Sequence, residues 1–209
     1  MKLIGISYRK WAIEIYKNIS KKKKIKIFQT KRIPVKQIKK INPDYIFFYG
    51  WSWKVSKNIT KKYKCIMLHP SKLPNFAGGS PLQNQIIRNI NSSAITLFKM
   101  NDIIDGGNII YQKKLSLNGS LNEIFDRIIK VGTQLTFNLL KKKYTEKKVI
   151  VKKRYKRLTN NSEITIKEIK NSTGVYLYNK IRMLQDPYPN PYIKTKDNKK
   201  LIIKKVTLK

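Results

Sequence analysis

The sequence is short of nearly every residue from which a metal centre or a disulfide framework is built. Of its 209 residues one is cysteine, Cys65, and one is histidine, His69. A lone cysteine closes no intramolecular disulfide and completes no Cys-based zinc site, so no metal is expected and a reducing compartment fits. Acids are equally scarce: 11 Asp and Glu stand against 47 Lys and Arg, for a formal charge of +36. Arginine is rare as well. Arg9, Arg32, Arg88, Arg127, Arg154, Arg157 and Arg182 are seven of the 47 basic residues, and lysine supplies the other 40. Arginine is the residue suited to bidentate recognition of phosphates and bases. Its scarcity weakens the nucleic-acid reading that the charge invites. The accompanying excess of Ile, Asn, Tyr and Phe is what an AT-rich coding sequence supplies without selection for a ligand, so a solvated, lysine-biased surface explains the charge equally well. No apolar run approaches the roughly 20 residues of a membrane span. The apolar start, Met1 to Ile6, is interrupted by Tyr8, Arg9 and Lys10 and is too brief for the core of a secretion signal. The expectation is a soluble cytoplasmic protein with no membrane partner.

What is present is enough to build a core: 41% of residues are hydrophobic and 11% aromatic. Apolar runs at Leu3 to Ser7, Ile25 to Phe28, Tyr45 to Tyr49 and Cys65 to Leu68 read as strands, with helical spacing between them over Trp11 to Ile19 and Val35 to Ile41. Strand and helix in alternation predict an α/β fold with a Rossmann-like, mostly parallel sheet. Beyond residue 69 a loop rich in Pro and Gly leads to Ser80-Pro81, an N-cap followed by proline at the first helical position, with Leu82, Ile86, Ile87 and Ile90 facing the core. Ala94 to Met100 and Ile109 to Gln112 read as strands around a polar loop. Ser120-Leu-Asn-Glu123 is a capping box opening a long amphipathic helix that ends the main domain near residue 143. Residues 144–209 form a short C-terminal extension: a charged segment, a polar stretch through Asn160 and Asn161, a helix from about Thr173 to Leu184, a Pro-rich turn, and a final strand at Leu201 to Val206.

Two residues stand out for chemistry. His69 follows a predicted parallel strand at the carboxyl end of the sheet, where open α/β folds place their ligands. Asp105 lies in Ile104-Asp105-Gly106-Gly107 between two strands, where glycine lets the backbone approach a ligand. A structural histidine and a turn-forming Asx residue are the bland readings of the same two positions.

The run Cys65-Ile-Met-Leu-His69-Pro-Ser-Lys-Leu-Pro74, with Gly78-Gly79-Ser80-Pro81-Leu82-Gln83 after it, resembles a segment of the folate-dependent formyltransferases. Ala94-Ile-Thr96-Leu-Phe-Lys-Met100 and Asp105-Gly-Gly-Asn-Ile109 resemble that family's next two motifs, Pro43-Asp44 through Gly50 an earlier one, and Tyr178-Asn-Lys-Ile-Arg182 through Pro189 a later one. The resemblance implies a formyltransferase domain over 1–143, a truncated extension over 144–209, and N10-formyltetrahydrofolate as formyl donor to a primary amine. It implies that His69 stabilises the oxyanion, that Asp105 tunes the imidazole and helps deprotonate the amine, and that Thr96 orients Asp105 or a water. It places Gly50, Trp51, Ser52, Trp53, Lys54, Val55, Gly106 and Gly107 around the donor. Met67 stands where the family carries a hydrogen-bonding asparagine, which leaves Asn84, Asn108 or a substrate group to replace the missing donor, or an inactive folate- or nucleotide-binding homologue. The short extension favours a nucleotide-linked amino sugar over methionyl-tRNA as acceptor, with a basic cleft for the diphosphate. Hydrolysis of the donor is a third outcome, and a homodimer through the extension is expected.

Overall fold

The computed structural model describes residues 1–141, 143–158 and 162–209; Lys142, Thr159, Asn160 and Asn161 lie outside the described residues. The chain opens as β1 (Leu3–Ser7), α1 (Lys10–Ser20), β2 (Ile25–Gln29), α2 (Val35–Ile41), β3 (Tyr45–Phe47), α3 (Lys57–Lys62) and β4 (Lys64–His69). All four strands run parallel, β1 between β2 and β3, and β3 against β4. Then come β5 (Ala77–Gly78), α4 (Pro81–Ile86), β6 (Ser92–Lys99), β7 (Asn108–Ser116) and α5 (Leu121–Lys141). β6 is antiparallel to β4 and β7 to β6, which completes a six-stranded sheet of order β2-β1-β3-β4-β6-β7.

The central strands β1 and β3 are buried along their whole length because both faces are covered, whereas the edge strands β2 and β7 carry exposed polar residues. Phe47, Ile66 and Leu68 pack with α1 and α5 on one face, while Ile46, Cys65 and Met67 pack with Ile38 and Ile59 of α2 and α3 on the other. Tyr16 of α1 fixes the carboxyl end of the sheet: its buried hydroxyl donates to the Phe47 carbonyl at 2.8 Å and accepts from the Tyr49 amide at 2.8 Å. This clamp lies between β1 and β3, where the strand order reverses and an open α/β sheet leaves a cleft. The capping box forms as the sequence predicts, with the Ser120 amide donating to Glu123 Oε2 at 2.7 Å and the Glu123 amide to Ser120 Oγ at 3.3 Å.

Several expectations are corrected. Ser80 precedes α4 with a left-handed backbone (φ 48°), and its hydroxyl caps nothing, because an N-cap needs an extended backbone to aim its oxygen into the first turn. α4 stops at Ile86, and Ile87 and Ile90 beyond it are half-buried and still pack against the core, as expected. The last strand is shorter than predicted: β10 (Lys200–Ile202) pairs antiparallel with β9 (Tyr192–Lys194), which the sequence did not signal. Three further elements went unread, β5, β8 (Arg154–Tyr155) and α6 (Ile166–Asn171). α7 (Gly174–Met183) lies within the helix predicted from about Thr173 to Leu184 and is capped by Thr173, whose hydroxyl accepts from the Tyr176 amide. Its Arg182 is buried and donates to the Leu117 and Gly119 carbonyls at 2.6 and 2.9 Å, locking the extension onto the turn before α5.

Candidate active site

A cavity of about 370 Å³ opens at the carboxyl ends of β1, β3 and β4. The segment after β3 contributes Gly50, Trp51, Ser52, Trp53, Lys54 and Val55, the end of β4 contributes Met67 and His69, and the β6–β7 loop contributes Asp105. Trp51, Val55, Met67, Phe98 and Met100 make one wall apolar. Trp51 is nearly buried and its indole Nε1 has no hydrogen-bond partner among the described residues, whereas Trp53 is 47% exposed and stands 5.0 Å from it, centroid to centroid. The Ser52 hydroxyl is 2.5 Å from that of Tyr8, which ties the loop after β3 back to the end of β1. Cys65 does not line the cavity; its thiol is buried, and burial pushes its pKa up to about 12.

His69 is the last residue of β4 itself and is 6% exposed. Its Nε2 lies 2.9 Å from the Phe76 carbonyl. A carbonyl only accepts, so Nε2 carries the proton of that bond. Nδ1 faces Asp105 Oδ1 at 3.6 Å, and Asp105 Oδ2 accepts from the Gly78 amide at 2.7 Å. Asp105 holds a left-handed backbone (φ 53°), a conformation that aspartate tolerates better than most residues. Phe76, Ala77 and Gly78 therefore hold both members of the pair, one by a carbonyl and one by an amide.

The other predicted residues are placed differently. Thr96 sits opposite His69 in the β4–β6 register but does not meet Asp105. Its hydroxyl donates to the Ser71 carbonyl at 2.6 Å and accepts from the Leu73 amide and Gln112 Nε2, so its hydrogen-bonding capacity is spent pinning the loop after His69. Gly106 and Gly107 do not line the cavity. A side chain at Gly107 would collide with the Lys99 carbonyl, so that glycine closes the β6–β7 hairpin and makes no approach to a ligand. Asn84 has no free amide: Nδ2 donates to the Gly79, Ser80 and Lys156 carbonyls, and Oδ1 accepts from Arg88. Asn108 is turned outward to Glu146. Neither asparagine compensates for Met67.

Sequence reasoning missed the Phe76 carbonyl and the Gly78 amide, which no side-chain pattern advertises. It also missed Arg9, Arg157 and Tyr188 in the cavity wall. Arg9 follows β1 and could have been found by the rule that located His69; its guanidinium lies 4.7 Å from the Tyr8 ring centroid and 5.5 Å from that of Tyr188. Among the described residues no group of three or more metal-ligating side chains exists, and no helix is long and apolar enough to cross a membrane.

A buried His–carboxylate pair beside a cleft at the carboxyl end of an open α/β sheet sets a proton donor and acceptor where such folds bind their ligands. The chain belongs to the formyl transferase family, whose profile, described as "Formyl transferase", matches residues 5–139. Methionyl-tRNA formyltransferase of Rickettsia canadensis is 33% identical over 107 residues, covering 49% of this chain and 35% of that protein. The chain thus matches about a third of the length of such curated relatives. Among solved structures, methionyl-tRNA formyltransferase from Clostridium thermocellum superposes with a TM-score of 0.89 at 30% identity, over 100% of this chain and 94% of that one. A 4-N formyltransferase from Francisella tularensis shares the fold with a TM-score of 0.74 at 19% identity, over 100% and 98% of the two chains.

Proposed function

We propose that the protein transfers a formyl group from N10-formyltetrahydrofolate to a primary amine in the cavity at the ends of β1, β3 and β4. The observation that carries this reading is the buried His69–Asp105 pair, held by Phe76 and Gly78 at the edge of a cleft with one apolar wall. The residues fit the donor. Trp51, Val55 and Met67 offer a surface for a flat heterocycle, and the unpartnered Trp51 Nε1 offers a hydrogen-bond donor beside it. Gly50, Ser52 and Trp53 complete that side of the cleft.

Bound there, the donor supplies an electrophilic formyl carbon. In the exchange a bond forms from the amine nitrogen to that carbon, the bond to N10 breaks, and the proton lost by the amine ends on N10. Asp105 accepts the amine proton at Oδ1, directly or through water, while Oδ2 stays on the Gly78 amide. His69 keeps its Nε2 proton on Phe76, so it can offer a proton from Nδ1 to negative charge on the formyl oxygen only when the ring carries a second proton. Thr96 acts through the loop that it pins. Met67 supplies no hydrogen bond, and the loss of one such donor lowers rates by about 10²–10³.

Methionyl-tRNA is the favoured acceptor, supported by the 30% identity with the Clostridium protein over the whole chain, against 19% with the Francisella protein. A +36 charge suits a polyanion. A nucleotide-linked amino sugar is the second reading; a short extension does not separate the two, because the Clostridium chain is matched over 94% of its length. A cytoplasmic location fits the single, buried cysteine, and the exposed Leu201 and Ile202 of β10 support a homodimer. Incubation with N10-formyltetrahydrofolate and either methionyl-tRNA or a panel of nucleotide amino sugars tests the reading by the formyl mass increment. Formate release without an amine would make the protein a hydrolase, and donor binding with no turnover would make it an inactive homologue.

A further inference from the structure

The His69–Asp105 pair is held by a tripeptide, and that tripeptide is held from outside the family-matched region. Residues 5–139 match the family profile, yet β5, the Ala77–Gly78 half of the tripeptide, pairs in parallel with Arg154–Tyr155 of β8. The Gly79 amide donates to the Tyr155 carbonyl at 2.9 Å. The Phe76 ring stacks on Tyr155 with centroids 4.6 Å apart and planes 23° apart. Gly78 has φ +105°, and a side chain there would meet the Tyr155 carbonyl at 2.5 Å, so the two backbones approach as closely as they do only with glycine in that place. From the same strand, Arg154 Nε and Nη2 both reach the Ile104 carbonyl at 3.4 Å, one residue before Asp105.

We infer that Arg154 and Tyr155 are positioning residues for the reaction: the β8 strap sets the distance between His69 and Asp105 by holding Phe76 and Gly78 from one side and Ile104 from the other. Neither side chain lines the cavity, so neither touches substrate. Phe76 stacks on Tyr155 through the ring, and Arg88 and Lys153 lie 5.1 and 5.2 Å from the ring centroid, so the ring rather than the hydroxyl carries the contact. Without the stack, the Phe76 carbonyl and the Gly78 amide are free to drift. The imidazole then loses the acceptor that fixes its tautomer, and the carboxylate loses the donor that aims it. The inference rests on the formyl-transfer reading for its rate effect, and on geometry alone for its effect on His69.

His69 is the only histidine in the chain, so its ring nitrogens give one unambiguous set of signals in a long-range ¹H–¹⁵N spectrum. The intact protein should show the form protonated at Nε2. Tyr155→Ala should move these signals toward a mixture of tautomers and lower kcat at least tenfold, with the KM for N10-formyltetrahydrofolate changed less than threefold. Tyr155→Phe should restore both to within twofold. Arg154→Ala, at an exposed side chain whose loss leaves the core intact, should shift the ring signals in the same direction and lower kcat about threefold. It decides the matter if Tyr155→Ala fails to fold. Ring signals unchanged in Arg154→Ala and in folded Tyr155→Ala, or a loss confined to KM, would overturn the inference. A wild-type protein inactive with every acceptor would overturn the formyl-transfer reading while leaving the spectroscopic result to stand or fall by itself.

Discussion

Replacing Asp105 in two ways separates its charge from its tether. Asp105 Oδ1 faces His69 Nδ1 at 3.6 Å and Oδ2 accepts from the Gly78 amide at 2.7 Å, with the side chain only 10% exposed. Asp105→Asn keeps an oxygen for Gly78 and nearly the same shape, but removes the proton acceptor and the negative charge beside the imidazole. A positioned general base contributes about 10²–10⁴ in rate, equivalent to about 3–5 kcal/mol of barrier. Asp105→Ala removes the tether as well and leaves the Gly78 amide without its partner, at a stability cost of about 1–3 kcal/mol. For a chain of this size each kcal/mol lowers the melting temperature by about 2–4 °C. Formyl transfer followed by mass spectrometry should therefore show both variants down at least about a hundredfold in kcat. Thermal unfolding followed by circular dichroism should show Asp105→Asn within about 2 °C of the native protein and Asp105→Ala lower by several degrees, since only the second leaves a donor unpaired. An Asp105→Asn variant retaining more than about a tenth of native kcat would refute the base assignment. An Asp105→Ala variant melting with the native protein would refute the tether.

Met67→Asn puts an amide into the cavity wall; kcat should rise at least tenfold, by the reasoning that one oxyanion donor is worth about 10²–10³. The same change buries polar atoms at a site 8% exposed and should lower the melting temperature; an unchanged rate in a folded variant would show that Met67 does not face the reacting oxygen. Arg182→Met keeps the stem but removes the donors to the Leu117 and Gly119 carbonyls. Burial already pushes the Arg182 pKa down, so relief of that desolvation offsets part of the loss, and a net cost of about 2 kcal/mol, or about 4–8 °C, is expected in a thermal melt. Glu146 fastens the strap to the β6–β7 hairpin through Lys99 at 3.2 Å and Asn108 at 2.9 Å. Burial raises its pKa, but the bonds from Asn108 and Lys99 outweigh burial and hold it below the ordinary 4.5. A depressed carboxylate stabilises the fold above its unfolded pKa, and that stabilisation is lost as pH falls through the lower, folded value. Hydrogen exchange at Lys147, whose amide is bonded to the Ile109 carbonyl, should accelerate relative to the core in the window below pH 4.5; equal protection across that window would show that Glu146 does not fasten the strap.

The half of the fold built on periodicity was readable because both of its signals are local. Continuous apolar runs such as Tyr45 to Tyr49 require cover on both faces, and the intervening helices supply it. His69 was found for a similar reason, since the carboxyl end of a strand at a switch point is a place that chain order alone identifies. Thr96, which the family resemblance sets to orient Asp105 or a water, does not meet Asp105: a resemblance does not say where a hydroxyl points, and the loop after His69 takes it. Asn84 looked available as a type of residue and is consumed as an individual one. β8 was unreadable in principle: two residues, Arg154 and Tyr155, inside a basic run have neither the period of a strand nor its apolar content, and they pair only because the left-handed Gly78 presents an edge to them.

The charge that dominates the composition and the site that performs the chemistry are built by different rules. Among the described residues ten of the 11 acids make an ion pair or hydrogen bond: Glu14, Asp44, Asp102, Asp105, Glu123, Glu146, Glu163, Glu168, Asp186 and Asp197. Some of these carboxylates satisfy donors that would otherwise be unpaired: the Ser120 amide of a helix cap, the buried Lys180 ammonium and the Gly78 amide beside His69; Glu14, Asp102 and Asp197 pair with exposed lysines. Most lysines face no such constraint, and a solvated ammonium needs no partner. Asp105 differs from the exposed acids in that two groups, one a backbone amide and one the only imidazole in the chain, face the same carboxylate.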